Sequence, residues 1–399
     1  MKLACGCIER SECDMNKIRV MTVFGTRPEA IKMCPLVLEL RSRPEIECIV
    51  CLTAQHRQML DSVMEIFGIE GDYDLDIMRD RQTITGITVR ILDKLDELLE
   101  EEKPDLILVH GDTSTTFASA LAAFYHKIPV GHVEAGLRTY DMYSPFPEEM
   151  NRCLVSEIST LNFAPTQNNA AALTQERTRG ELFITGNTGS DALKTTVCDD
   201  YSFKTEALQT LDFENSKVIL LTAHRRENYG EPMQHIMTAV RRVVEENPGV
   251  KVVYPVHLSP YVQETAQKYL GDVDGVELIA PVDVQEMHNL MAKCYMVMTD
   301  SGGIQEEAPS LGKPVLVLRN ETERPEAIDA GTVVLCGTSE EKIVETANRL
   351  IRDDAAYAKM ANAVNPYGDG KACRRITDAI LWKFGLGEKP EDFSVDTAE

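Results

Sequence analysis

Apolar runs of four to eight residues alternate along the chain with stretches of helical period. KIRVMTVFG predicts a buried strand, and PEAIKMCPLVLELRS predicts the helix after it. IECIVCLTA and HRQMLDSVMEIFG repeat the pair, DLILVHGD and STTFASALAAFYHK repeat it again, and IPVGHVE adds a further strand. Strand and helix in repeated alternation imply βαβ units on a parallel sheet.

The rhythm restarts after FITGNTGSDAL. KVILLTAHR predicts a strand and EPMQHIMTAVRRVVEENPG a helix closed by Pro-Gly, and VKVVYPVH, VELIAPV, YMVMTD and PVLVLR predict further strands. A boundary is therefore expected near Gly186 to Gly189. The fold class that follows is α/β, with two doubly wound, Rossmann-like parallel-sheet domains (residues 17–187 and 188–373) around a cleft. Residues 1–16 are expected to form an irregular extension. In such sheets, function gathers outside the carboxyl ends of the strands.

The length of 399 residues suits two domains, and 43% hydrophobic residues supply a sizeable core for them. A net charge of −23 argues against nucleic acid or an anionic membrane surface as partner. It also means that an anionic substrate needs a concentrated local basic site. Residues 1–17 carry no apolar core of signal-peptide or membrane-span length. Eleven scattered cysteines suit a reducing cytoplasm better than a disulfide scaffold. Cys48 and Cys51 form a C-x-x-C inside a predicted strand, where three-residue spacing sends the thiols to opposite faces. No H-E-x-x-H, Walker loop or G-x-G-x-x-G is present, so neither a metal nor a cofactor is expected.

The candidate chemistry lies at strand ends. In FGTRPEAIK, Thr26 suits a helix N-cap and Pro28 its first turn, while Arg27 and Lys32 add charge beside the helix's positive end, an anion site. Asp112 ends VHGD and Glu134 ends GHVE. If these strands are parallel neighbours, both carboxylates reach one crevice; otherwise Asp112 is a helix cap before TSTT. Glu148 follows the Pro-braced SPFPEE loop, and either it or Glu149 is a solvated residue. His224 sits in a basic turn beside Arg225 and Arg226. In TDSGGIQEEAPSLGKPV the glycines allow close backbone approach, and the following helix amides suit a diphosphate. Glu306 and Glu307, read as that helix's first turn, either grip ribose hydroxyls or compensate the helix dipole. Arg324 marks another basic turn.

FGTRPEAIK, TAQHR, VHGDT, GHVEAGLRT, SPFPEEMNR, ITGNT, HRREN, TDSGGIQEEAPSLGKPVLVLR, TERPEA and NPYGDG, in this order from about Lys17 to the 380s, resemble the non-hydrolysing UDP-N-acetylglucosamine 2-epimerases. The resemblance implies a GT-B fold whose last helix, near residues 374–388, crosses back to the first domain. It implies a cytoplasmic homodimer that makes UDP-N-acetylmannosamine for surface polysaccharide. It assigns Asp112, Glu134 and Glu148 as essential carboxylates with His224 as partner. Arg27, Ser301, Gly302 and Gly303 would hold the diphosphate, Glu307 the ribose, and Met287, through its backbone, would face uracil, with Lys32 and Arg324 lining the same cleft. Gln55, Gln58, Arg81, Arg225 and His257 match the positions that hold a second, activating UDP-N-acetylglucosamine; Gln55 and Gln58 also suit a plain helix start.

The chemistry so implied is elimination of UDP across carbons 1 and 2 to 2-acetamidoglucal, then re-addition with the proton delivered to the opposite face. Such a route needs an acid and a base, cationic help for the leaving diphosphate, and a closed cleft. Clustered carboxylates are expected to raise the pKa of one member so that it donates at neutral pH.

Overall fold

The computed structural model describes residues 17–79 and 81–395; the expected extension at residues 1–16 lies outside them. Seven parallel strands form the first sheet: β1 (Ile18–Phe24), β2 (Ile46–Leu52), β3 (Tyr73–Asp74), β4 (Leu106–His110), β5 (Val130–Val133), β6 (Leu161–Ala164) and β7 (Glu181–Ile184), in the order β3-β2-β1-β4-β5-β6-β7. Six parallel strands form the second: β8 (Lys217–Thr222), β9 (Val250–Pro255), β10 (Val276–Ile279), β11 (Met296–Thr299), β12 (Val315–Val317) and β13 (Val333–Leu335), in the order β10-β9-β8-β11-β12-β13. Each sheet reverses its winding once, between β1 and β4 and between β8 and β11. These switch points are where ligand crevices open in doubly wound sheets.

The apolar runs become strands because helices cover both faces. Along β1, Val20 and Phe24 pack into one core layer while Met21 and Val23 pack into the other. Along β2, Cys48 joins the first layer and Cys51 the second, so the two thiols lie on opposite sides of the sheet. Burial pushes both up, to about 12 for Cys48 and further for Cys51, which leaves them as inert thiols. The eight described cysteines are all free.

Several elements lie outside the expected rhythm, among them β3, the helix Ile84–Glu102, β6, β7 and β13. β3 has two residues. β6 and β7 are short, and polar positions interrupt their apolar runs. Asn162, at the centre of β6, is fully buried with neither end of its amide hydrogen-bonded among the described residues.

The chain passes between the lobes twice, and the two passages touch. The Asn187 amide donates to the Tyr367 carbonyl at 2.6 Å. A Cβ on Gly186 (φ 81°) would stand 3.2 Å from the Gly368 Cα, so a side chain there would press backbone against backbone. Beyond the second passage, the helix Ala372–Lys383 buries Cys373, Ile376, Ala379 and Ile380 with Leu36, Val37 and Leu40 of the first lobe. Trp382 meets Phe183 edge-on at 5.9 Å. The following segment covers the open edge of the first sheet: Phe393 N–H donates to the Ile184 carbonyl at 2.6 Å, and Asp392 accepts from Ile184 N–H at 2.8 Å.

Ile380→Ala should therefore destabilise the first lobe by about 2–5 kcal/mol, the cost of a large-to-small change in a closed core. Urea unfolding followed by Trp382 fluorescence measures it. A loss under about 1 kcal/mol would mean that this helix contributes little to the first-lobe core.

Candidate active site

The carboxyl ends of the strands carry nearly every residue singled out from the sequence. After β1, the helix Arg27–Arg41 starts with Thr26 as N-cap and Pro28 in its first turn. Glu29, almost fully buried, accepts from Gly25 N–H at 3.0 Å, Thr26 N–H at 2.8 Å and the Thr113 hydroxyl at 2.6 Å. It thereby ties the β1 and β4 turns together. Arg27 is half-buried and makes no hydrogen bond or ion pair among the described residues. Burial lowers its pKa, although Glu307 and Asp283 of the second lobe oppose that. It is a cation short of counter-charge at the mouth of a helix N-terminus, the electrostatic profile of an anion site.

Asp112 and Glu134 follow adjacent parallel strands, with His110 paired to Val133 in register. Thr113, not Asp112, caps the helix Ser114–Tyr125, accepting from Thr116 N–H at 3.1 Å. Asp112 is left for Arg152, whose guanidinium donates to it at 2.6 Å, and its carbonyl accepts from the Asn151 side chain at 2.8 Å. Asn151 and Arg152 stand three and four residues after Glu148 on the helix Glu148–Ile158, so all three share the face turned to Asp112. Glu148 and Glu149 are now distinguishable. Glu149 is buried, accepts from Tyr140 N–H at 2.9 Å and pairs with Arg152 at 3.3 Å. Glu148 is half-buried and makes no hydrogen bond or ion pair among the described residues.

Glu134 sits at φ 61°, a left-handed conformation uncommon for a residue with a side chain. This turns its carboxylate into a cage. Lys32 makes a short hydrogen bond to it, the Asn187 amide donates at 2.9 Å, and His110 lies 3.6 Å away. Burial alone would raise its pKa, but Lys32 and then His110 outweigh that and hold it well below the usual carboxylate range. The expectation that clustering raises a carboxyl pKa therefore fails at Glu134, because the cluster's cations dominate its acids. Lys32 also reaches Glu306 at 3.6 Å, and Glu306 takes the Arg324 guanidinium at 2.5 Å and the Asn187 amide at 2.8 Å. Burial opposes the charge on Lys32 and on Arg324, yet their acidic neighbours keep both pKa values above the ordinary range.

In the second lobe, Ser301 is the N-cap of the helix Gly302–Ser310. Glu306 and Glu307 are thus its fifth and sixth residues and lie in its second turn, not its first. The helix begins directly at the glycines, which puts the glycine amides at its open end. A Cβ on Gly302 would come within 2.7 Å of the Arg324 guanidinium and would push it aside from its present place. Glu307 stands 3.6 Å from His288; burial opposes its ionisation, but His288 and then Lys32 and Arg27 lower its pKa. Met287 is one turn into the helix Val284–Lys293, its N–H given to the Asp283 carbonyl.

His224 follows β8 and stacks on His257 at 5.0 Å. Burial lowers its pKa, with His257 and Arg225 adding to that against Asp300. Asp300, fully buried after β11, accepts from the amides of His224 and Arg225, each at 2.8 Å. Gln55 accepts from the Thr115 hydroxyl at 3.0 Å. Gln58 is the exposed first residue of the helix Gln58–Phe67, and Arg81 is exposed at φ 55°.

This is two lobes with one ionic cluster between them, and the sequence pattern of UDP-N-acetylglucosamine 2-epimerases matches residues 38–381. The chain belongs to the UDP-N-acetylglucosamine 2-epimerase family. It is 57% identical over 383 residues to the Bacillus subtilis UDP-N-acetylglucosamine 2-epimerase, covering 95% of this chain and all of that one. It is 50% identical over 369 residues to the Escherichia coli K12 enzyme, covering 91% of this chain and 98% of that one. Among solved structures, the Neisseria meningitidis UDP-GlcNAc 2-epimerase bound to UDP-GlcNAc superposes with a TM-score of 0.84 at 49% identity, over 92% of this chain and 100% of that one. The two-sheet arrangement is the GT-B fold of these epimerase structures.

Sequence reasoning did not single out His110, Asn187, Asp300 or the inward role of Glu306. His110 and Asp300 lie within a residue or two of the candidates Asp112 and Ser301, and that proximity was the available signal; Asn187 lies in the quoted ITGNT motif with no candidate beside it. Among the described residues no cluster of three or more metal-ligating side chains forms, and no helix is long and apolar enough to cross a membrane.

His132, fully buried in β5, bonds the Gly111 carbonyl at 2.7 Å, and burial pushes its pKa from the ordinary 6.5 down to about 3. It stays neutral in the fold but takes up a proton when unfolded, so its contribution is complete above pH 6.5 and drains away as pH falls toward 3. Over that window it should add about 1.4 kcal/mol per pH unit to the loss of stability. His132→Gln should flatten the curve of unfolding free energy against pH between about 4 and 6. An unchanged slope would show that His132 does not titrate in this way.

Proposed function

We propose that this chain interconverts UDP-N-acetylglucosamine and UDP-N-acetylmannosamine without net hydrolysis, by eliminating UDP to 2-acetamidoglucal and adding it back. The observation that carries the reading is the different setting of three carboxylates, Glu134 caged by cations, Asp112 held by Arg152 and Glu148 unpartnered, beside Arg27, a cation short of counter-charge. In the elimination, the proton leaves carbon 2, the C1=C2 bond forms, and the C1–O bond electrons depart with UDP. Addition reverses these changes, with the proton arriving on the other face.

A carboxylate held as strongly ionised as Glu134 is a poor proton acceptor, so its part is charge and orientation at the sugar. Asp112 and the unpartnered Glu148 are the proton-transfer pair. Arg27, Ser301 and the Gly302 and Gly303 amides receive the diphosphate, where developing charge on the leaving group needs fixed donors. Glu307 binds ribose, Met287 lies by the uracil, and His224, whose pKa is lowered by burial, stands by the phosphates. Lys32 and Arg324 line the cleft through the ion cluster. A second UDP-N-acetylglucosamine bound by Gln55, Gln58, Arg81, Arg225 and His257 would act as activator. The enzyme would work as a cytoplasmic homodimer and supply surface polysaccharide synthesis.

Incubation with UDP-N-acetylglucosamine in deuterated water should give UDP-N-acetylmannosamine with deuterium at carbon 2, read by NMR. Free N-acetylmannosamine would mean a hydrolysing enzyme, and an unchanged, unexchanged substrate would overturn the reading. Asp112→Asn, Glu134→Gln and Glu148→Gln should each lower kcat by about 10²-fold or more, with UDP binding held within several-fold by calorimetry. Retained turnover would remove that residue from the mechanism.

A further inference from the structure

Asn187 is the residue at which the first passage between the lobes occurs, and it is 3% exposed. Its carbonyl oxygen accepts from Gly189 N–H at 2.8 Å, capping the helix Thr188–Thr196. That bond fixes the amide's orientation, because only the oxygen can face a donor. The nitrogen therefore faces the other way, and both of its protons are used. One goes to Glu134 Oε2 at 2.9 Å and the other to Glu306 Oε2 at 2.8 Å. Glu134 belongs to the first lobe and Glu306 to the second. The backbone N–H is committed to Tyr367, on the returning passage.

We infer that Asn187 is a positioning residue: its amide holds Glu134 and Glu306 side by side and so couples the place and charge of Glu134 to the position of the second lobe. This rests on the proposed function, in which Glu134 acts at the sugar. Glu134 is faced by Lys32 from the Arg27–Arg41 helix, His110 from β4, and Glu306 and Arg324 from the second lobe, with Glu323 and Glu326 across the same small cavity. Two carboxylates within reach of one lysine repel each other, and the amide supplies a neutral double donor between them. No other common side chain of this length gives two protons while accepting a third bond.

Asn187→Asp separates this role from a plain helix cap. Aspartate is as good an N-cap as asparagine, so the bond from Gly189 survives. Both donors vanish, and a third carboxylate stands between two others. Measured against turnover of UDP-N-acetylglucosamine, N187D should lower kcat by about 10²-fold, with UDP binding within about threefold. The acid limb of its kcat–pH profile should move up by about one pH unit, because like charge favours the protonated form of Glu134. N187D/E306Q should recover at least about tenfold of the loss, since one repelling charge is removed. Asn187→Ser, which keeps a capping oxygen and adds no charge, should lose turnover without moving the acid limb, and it serves if N187D does not fold.

Full activity in either single variant would make Asn187 a cap alone and overturn the inference. If the wild type failed to epimerise, the proposed function would fall. The inference would still be decided by carbon-13 NMR of labelled glutamate, assigned with E134Q: it requires a higher Glu134 titration midpoint in N187D than in the wild type. An unmoved midpoint overturns it.

Discussion

The organisation of this molecule depends on a buried ionic cluster shared by its two lobes. Lys32 and Glu134 come from the first lobe, Glu306 and Arg324 from the second, and Asn187 joins them at the passage between. The four charged groups sum to zero. Desolvating them costs several kcal/mol per ion, and the cost is offset only because every member finds an opposite charge or a hydrogen bond. Removing one partner would leave a buried charge exposed to that full cost. The cluster therefore constrains the relative placement of the lobes more than it adds net stability, and it does so through residues that also line the cleft.

That constraint settles the charge problem posed by a chain of net charge −23. The cleft does not need to be basic overall. Lys32 and Arg324 are neutralised locally by Glu134 and Glu306. Arg27 is not neutralised in this way: its burial works against its charge, and its acidic neighbours across the cleft only partly compensate. The Gly302 helix adds amides at its open end. In the proposed function, a phosphate arriving between them would meet one under-compensated cation and one helix terminus, both of which act at short range within a low-dielectric cleft.

The strand rhythm, the two sheets and the strand-end carboxylates were legible because each depends on local pattern. A run such as DLILVHGD carries both its burial and its strand-end carboxylate in eight letters. What stayed hidden depends on contacts between distant segments. Glu148 and Glu149 are identical in type, and only the fold shows that Glu149 accepts from Tyr140 and pairs with Arg152 while Glu148 stays unpartnered. Glu306 was readable as acidic but not as the partner of Arg324. Asn187 reads as an ordinary turn residue beside a glycine; its second function exists only because β5 and the Gly302–Ser310 helix converge on it. Asp300 hides for the same reason, since the His224 and Arg225 amides that it holds lie seventy-odd residues away in sequence.

The left-handed backbone at Glu134 belongs to the same logic. A side chain at φ 61° costs of order 1–3 kcal/mol and persists only where its surroundings over-determine it. Here Lys32, His110 and Asn187 supply that determination from three separate elements. A more relaxed conformation would carry the carboxylate away from the cage and leave Lys32 with Glu306 alone. The strain is thus the local cost of placing an ionised group where both lobes contact it, and it is met by the ion cluster that fixes how the lobes meet.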